Sequence, residues 1–135
     1  MLGGISASRV EGALERAAKD VAANFTARSR IAIVYIAAQD KNTTEFITGE
    51  LEHLLQRSGY LIVDRSELDR VRAEQRFGLS GEVDDNTAAS IGQFAGADIV
   101  ITGRVDGEGN LRRLRLRALD TTSGQVVGTA SERLE

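Results

Sequence analysis

The stretch IVITGRVDGEGNLRRLRLRA, residues 99–118, is where the chain changes architecture. Its first four residues, Ile99-Val100-Ile101-Thr102, are apolar and β-branched, as in a strand covered on both faces. Asp106-Gly107-Glu108-Gly109-Asn110 has the residue types of a hairpin turn. Beyond it Leu114, Leu116 and Ala118 alternate with Arg113, Arg115 and Arg117. A period of two marks a strand with one face buried and the other in solvent. Asp120 to Gly124 reads as a second turn and Gln125 to Ser131 as a last strand. Strands joined by turns this tight run antiparallel.

Upstream the pattern is different. Val10, Ala13, Leu14, Ala17, Val21 and Phe25 recur at steps of three and four, which predicts an amphipathic helix over 8–28. Ser8 and Glu11 have the spacing of a capping box. Ile31 to Ile36 is a short, non-alternating apolar run, read as a buried strand. A second helix follows, with Asn42, Thr43 and Thr44 as candidate caps, a core face of Ile47, Leu51, Leu54 and Leu55, and Gly59 at its end. Tyr60 to Val63 predicts the next strand, and Ser66 with Asp69 opens a third helix carrying Leu68, Val71 and Phe77. Gly78 to Asn86 is a polar loop. A short fourth helix then points Ala88, Ile91 and Phe94 inward and ends at Gly96.

Helices between the early strands imply right-handed parallel crossovers. The expected fold is therefore α/β: a three-layer sandwich around a mixed five-stranded sheet in the order 2-1-3-4-5. Three parallel strands are followed by two antiparallel ones, and an amphipathic helix precedes the whole. We expect one domain over 1–135, with residues 1–28 as the leading helix and 29–135 as the core. A chain of 135 residues is long enough to bury about two-thirds of its unfolded surface.

Composition excludes several chemistries. There is no Cys, so disulfides, zinc-thiolate sites and cysteine nucleophiles are absent from this sequence. The single His53 lies on a helix face shared with Glu50 and Arg57, opposite the leucine stripe, and reads as solvated. No run approaches the roughly 18 apolar residues of a membrane helix, and Met1 to Ile5 lacks the basic and apolar regions of a signal peptide. The loop after the first strand, Ala37 to Asn42, has no glycine, and neither G-x-G-x-x-G nor G-x-x-x-x-G-K-[ST] occurs. There is no G-x-S-x-G elbow. Glu82, Asp84 and Asp85 form an acidic loop without the spacing of an EF-hand, and helix capping by Asp85 or Asn86 accounts for them. Catalytic, cofactor and metal sites are all expected to be absent.

The surface feature that stands out is cationic. Arg113, Arg115 and Arg117 share one strand face at a pitch of ~6.8 Å, with Arg104 and Arg112 nearby. Such a ridge suits an acidic protein partner. It also serves to protect an exposed strand from edge pairing. Nucleic acid is disfavoured, because the net charge is -3 and only 4% of residues are aromatic. Arg65, Arg70, Arg72 and Arg76 are interleaved with Glu67, Asp69 and Glu74, as in i,i+4 pairs such as Arg70–Glu74.

Several runs go beyond this pattern. They are Gly59-Tyr60-Leu61-Ile62-Val63-Asp64-Arg65-Ser66-Glu67-Leu68, then Glu74-Gln75, then Ile91-Gly92, then Gly96-Ala97-Asp98-Ile99-Val100-Ile101-Thr102-Gly103. In this order, and with the closing Leu119 to Val127, the chain resembles the curli-assembly (CsgG-like) superfamily, which includes lipoprotein activators of penicillin-binding proteins. The resemblance covers about residues 30–135. The positions it matches are Asp64, Arg65, Glu74, Gly96, Asp98, Gly103 and Gly124, and their expected roles are structural. Arg65 is expected near Glu74, Gly96 at a chain reversal, and Gly103 where a neighbour needs room.

The resemblance implies a non-enzymatic envelope binding module in the periplasm or at the inner leaflet of the outer membrane. It would dock on a larger envelope protein such as a peptidoglycan synthase, with no cofactor. The alternative it implies is an oligomeric subunit of an outer-membrane curli-type export apparatus. Two departures matter. The crossovers are filled by helices and leave no room for membrane-spanning hairpins of about 9–11 residues per strand, so this chain alone is not expected to form a pore. The lipid-modified cysteine of relatives is missing, so the chain itself is expected to be soluble, with membrane attachment only through an anchor it does not contain. Where relatives often carry Pro-Phe after the first strand, Tyr35-Ile36 stand here. A third expectation, a small-molecule crevice beyond the first and third strands, has no motif behind it.

Overall fold

A computed structural model describes residues 7–78 and 81–134. The elements run α1 (Ala7–Val21), β1 (Arg30–Ala37), α2 (Lys41–Arg57), β2 (Leu61–Ile62), α3 (Arg65–Glu74), α4 (Asp85–Phe94), β3 (Ile99–Asp106), β4 (Arg113–Asp120) and β5 (Val126–Arg133). The sheet order is β2-β1-β3-β4-β5, with β1 parallel to β2 and β3, and the last two pairings antiparallel. This is the expected α/β fold.

The two sheet faces have separate cores. On one, Val10, Leu14, Ala17 and Val21 of α1 and Ile47, Leu51 and Leu55 of α2 pack on Ile31, Ile33, Ile36, Ile101, Leu114 and Leu116. On the other, Leu68 and Val71 of α3 and Ala88 and Ile91 of α4 cover Ala32, Val100 and Leu119.

The centre of β1 departs from simple alternation. Its register to β3 shifts between Ile33 and Tyr35, so Val34 is an extra residue. The shift turns Ile36 onto the same face as Ile31 and Ile33. Opposite Ile36 stands Gly103, where a Cβ would lie 2.8 Å from Ile36 Cδ1, 2.7 Å from Leu116 Cδ2 and 3.0 Å from the Arg115 carbonyl. The glycine makes room for the large side chains on either side.

Gly96, at φ 75°, reverses the chain out of α4. The segment after it ties strand ends together. Asp98 Oδ2 accepts from Arg30 N–H at 2.9 Å, Arg30 Nε donates to the Gly96 carbonyl at 3.0 Å, and the buried Thr121 hydroxyl donates to the Ala97 carbonyl at 2.8 Å. The turn between β4 and β5 closes on Asp120, whose Oδ1 accepts from the backbone N–H of Thr122 and Ser123, and Gly124 follows at φ 74°.

Several boundaries differ from the sequence reading. The first helix ends at Val21 rather than 28: a turn and a left-handed Arg28 (φ 63°) follow, and Phe25 packs from that turn against the Tyr60 ring at 5.7 Å. The Ser8 side chain lies outside the described residues. Helix α2 is capped by Asp40, not by Asn42, Thr43 or Thr44, and its buried face adds Thr48 to the expected residues, with Leu54 packed against the core at its margin. Asp84, not Asp85 or Asn86, caps α4 by accepting from Thr87 N–H. In each case an aspartate just upstream, three residues before the amide it accepts from, occupies the cap position. Phe94 is 55% exposed rather than inward, its ring 6.2 Å from that of Phe77 at the margin of the core. β2 is shorter than residues 60–63, and β3 and β5 run on to Asp106 and Arg133.

Two predictions follow from this packing. Gly103→Ala should cost about 1–3 kcal/mol by overpacking, read as a lower urea midpoint with an unchanged m-value. The second concerns acid. Backbone and hydroxyl donors hold the carboxyls of Asp40, Asp84 and Asp120 below their ordinary 3.8. Their contribution to stability is therefore complete above 3.8 and is lost as pH falls through the lower folded values. The thermal midpoint should be level down to that point and drop below it. Asp84→Asn, which keeps the cap acceptor without titrating, should make the acid limb shallower.

Candidate interaction surface

The alternation in β4 sends Leu114, Leu116 and Ala118 into the core under α1 and α2. Arg113, Arg115 and Arg117 therefore project from the opposite face. Cross-strand register adds Thr102, Arg104 and Asp106 from β3, and Thr129, Ser131 and Arg133 from β5. Helices α3 and α4 cover the β1 side of this face and leave the hairpin side open. Five arginines (Arg104, Arg113, Arg115, Arg117 and Arg133) thus share one solvent face.

Acids meet part of this charge. Arg117 Nη2 lies 2.9 Å from Asp85 at the start of α4, Arg104 Nη2 lies 2.6 Å from Glu82, and Arg115 Nε lies 3.4 Å from Asp106. These groups are about half exposed, so each pair is worth only about 0–1 kcal/mol. Arg113 donates instead to the Ser131 hydroxyl at 3.1 Å and Arg133 to the Asn110 carbonyl at 3.1 Å. Among the described residues neither has a carboxylate partner. Two arginine pairs, Arg104–Arg115 and Arg113–Arg133, stand directly opposite one another, an arrangement that destabilises a sheet. Arg133 was missed by the sequence reading because the last strand was ended at Ser131. Continuing the two-residue alternation would have found it.

The structural positions matched by the resemblance are spread over the fold. Asp64 caps α3 by accepting from Ser66 N–H at 3.1 Å. Arg65 does not approach Glu74. It donates to Glu52 of α2 at 3.0 and 3.2 Å, while Glu74 and Glu67 both pair with Arg70. Helix α3 turns Arg65 toward α2 and keeps Arg70 in line with its own i−3 and i+4 neighbours. His53 is exposed.

At the carboxyl end of β1 a crevice of about 610 Å³ lies between α2 and α3, with Tyr35, Asp40, Thr44, Arg65, Asp69 and Glu82 among its walls. The place an anion would take at the start of α2 is filled by the Asp40 carboxylate, 2.8 Å from Thr43 N–H. Arg72, also on this wall, is only 3% exposed and was not singled out by the sequence. Its guanidinium donates to the carbonyls of Gly78 at 2.8 Å, Gly81 at 3.0 Å and Val34 at 3.3 Å. Burial pushes its pKa down and the Asp69 charge opposes that, and an arginine remains charged at neutral pH. Among the described residues no group of three or more His, Cys, Asp or Glu is placed to hold a metal, and no helix is long and apolar enough to cross a membrane.

This arrangement defines a class: a three-layer α/β domain whose C-terminal hairpin displays a cationic, solvent-exposed face. The family model for the curli production assembly/transport component CsgG matches residues 19–109, and the chain belongs to that family. Among solved structures, the LpoB C-terminal domain from Escherichia coli is similar at a TM-score of 0.78 and 15% identity, covering 91% of this chain and 96% of that one. The LpoB C-terminal domain from Salmonella enterica gives 0.75 and 19%, covering 90% and 95%. Lipoprotein GNA1162 from Neisseria meningitidis gives 0.60 and 17%, covering 76% and 79%. No curated protein matches the chain.

Removing the guanidinium of Arg72 would strand three carbonyls. Arg72→Met should therefore destabilise by about 3 kcal/mol in chemical denaturation, whereas Arg113→Ala, at the surface, should stay within about 0.5 kcal/mol.

Proposed function

We propose that this domain is a non-enzymatic binding module of the bacterial envelope, acting in the periplasm. It docks through the arginine face of its β3-β4-β5 sheet on an acidic surface of a larger envelope protein, a penicillin-binding protein with peptidoglycan synthase activity being the partner the family points to. One observation carries the reading. A protein of net charge -3 gathers five arginines on one open face and sets two pairs of them in direct opposition. Such repulsion weakens the isolated fold, and local conflicts of this kind are expected where function outweighs stability.

Membership of the CsgG family and the shared fold with LpoB domains support the envelope setting. The mechanism is a population shift: the module activates its partner only by binding the active conformation more tightly than the resting one. No bond is made or broken, and no cofactor enters. Long, half-exposed cations contribute chiefly to the encounter rate and its salt dependence.

The test uses the purified domain and the periplasmic part of a penicillin-binding protein from the same organism. Arg113→Glu, Arg115→Glu and Arg117→Glu combined should slow association at least about tenfold and flatten its dependence on salt. Unchanged association would refute the assignment of the face. The family match also fits an export-apparatus subunit. Light scattering separates the two: a monomer agrees with the module, and a defined high oligomer would overturn it.

A further inference from the structure

We infer that β5 receives an extended acidic segment of a partner protein as a sixth strand. The inference rests on the reading of the arginine face as a docking surface and adds how the partner is held there.

The backbone carries the first half of the argument. β5 is the last strand of the sheet and eight residues long, whereas the opposite edge, β2, offers two. Leu134 N–H donates to the Arg112 carbonyl at 3.0 Å, which fixes the alternation of the ladder. Glu132, Ala130 and Gly128 bond to Leu114, Leu116 and Ala118, and the N–H and C=O groups of Thr129, Ser131 and Arg133 point outward along an edge that has no strand partner among the described residues. The register shift in this pair lies between Ala118 and Leu119, so residues 128–133 form a regular ladder. The outward positions are exposed, and Thr129 and Ser131 are small. A row of unpaired donors and acceptors is a template for strand addition.

Charge decides the partner. The two arginines of the face that have no carboxylate partner among the described residues, Arg113 and Arg133, are those nearest this edge. The Arg113 guanidinium already lies over β5, on Ser131 Oγ at 3.1 Å, about one strand spacing of ~4.8 Å from an added strand. Arg115 and Arg117 lean the other way, to Asp106 and Asp85. Carboxylates at alternate positions of a sixth strand would meet Arg113 and Arg133 and relieve their mutual repulsion. A second copy of this chain would instead bring another Arg133 to the same edge, so an acidic partner fits and self-pairing does not.

The experiment titrates the blocked octapeptide (Val-Glu)4, with (Val-Lys)4 as control, into the ¹⁵N-labelled domain and follows amide hydrogen exchange. Protection is expected at Thr129, Ser131 and Arg133, with none from the lysine peptide. Arg133→Ser should weaken binding about tenfold, the scale of a charge-assisted hydrogen bond. Ser131→Pro removes an outward N–H, which an edge strand tolerates, together with the hydroxyl that receives Arg113; it should abolish binding, whereas Ser131→Ala, which loses that hydroxyl alone, should keep it. If Ser131→Pro fails to fold, Thr129→Pro and the exchange pattern of the unsubstituted domain decide. Unprotected edge amides, or full binding to a folded proline variant, would overturn strand addition. Either result leaves the charge-reversal test of the docking face standing on its own.

Discussion

One backbone carbonyl, that of Val34 in the bulge of β1, organises one side of this molecule. β1 runs through the middle of the sheet with cores on both faces, and its large residues Ile31, Ile33 and Ile36 must all reach the same core. Strict alternation allows the first two but not the third, so one residue is inserted. The insertion takes a half-buried carbonyl out of the regular ladder, and such a group left without a hydrogen bond costs about 1–3 kcal/mol. Arg72 satisfies it. The same guanidinium reaches Gly78 and Gly81, so the connection from α3 to α4 is fastened to the bulge that made the arginine necessary. Through that connection Glu82 and Asp85 come to stand beside Arg104 and Arg117. The charge balance of the arginine face therefore depends, at one remove, on how β1 fills its core.

The fold was legible where periodicity was pure. The shift from parallel crossovers to hairpins could be read from residues 99–118, because two leucines and an alanine alternating with three arginines admit one orientation of the strand. Gly103 was legible for a similar reason, since a glycine inside an apolar strand implies a close neighbour. What escaped were interactions between distant residues. Arg72 sits among Arg70, Glu74 and Arg76 in a segment that reads as a solvated charged helix, and nothing local marks it as the one that turns inward. Arg65 was placed by its own helix toward Glu74, but the second helix supplies Glu52 from 13 positions away. The caps were missed by a residue or more because Asp40 and Asp84 compete with the hydroxyl and amide side chains that follow them, and only geometry ranks the competitors.

The surface was legible in kind but not in extent. Alternation gave Arg113, Arg115 and Arg117, and proximity gave Arg104. The register then revealed the direct opposition of Arg104 to Arg115 and of Arg113 to Arg133, which no reading of one strand contains. That opposition changes the meaning of the cluster. Scattered arginines on a sheet face are ordinary solubilising residues. Arginines set against one another across a hairpin weaken it, and their retention in an acidic chain is an argument for a partner.

Charge alone makes a poor recognition device. Exposed guanidinium groups accelerate encounters with any acidic surface, and at physiological ionic strength their reach is about 8 Å. Selectivity requires something short-ranged and directional beside them. Backbone hydrogen bonds along a strand edge are of that kind: they fix direction and register, and alternate side chains are then delivered to one face. The arginines near the free edge and the outward amides of β5 lie within one strand spacing of each other, so the same approaching segment can satisfy both. A module that activates another protein must also let go when the partner changes state. A partner whose acidic segment is extended in one conformation and folded away in the other would supply the differential affinity that such control requires.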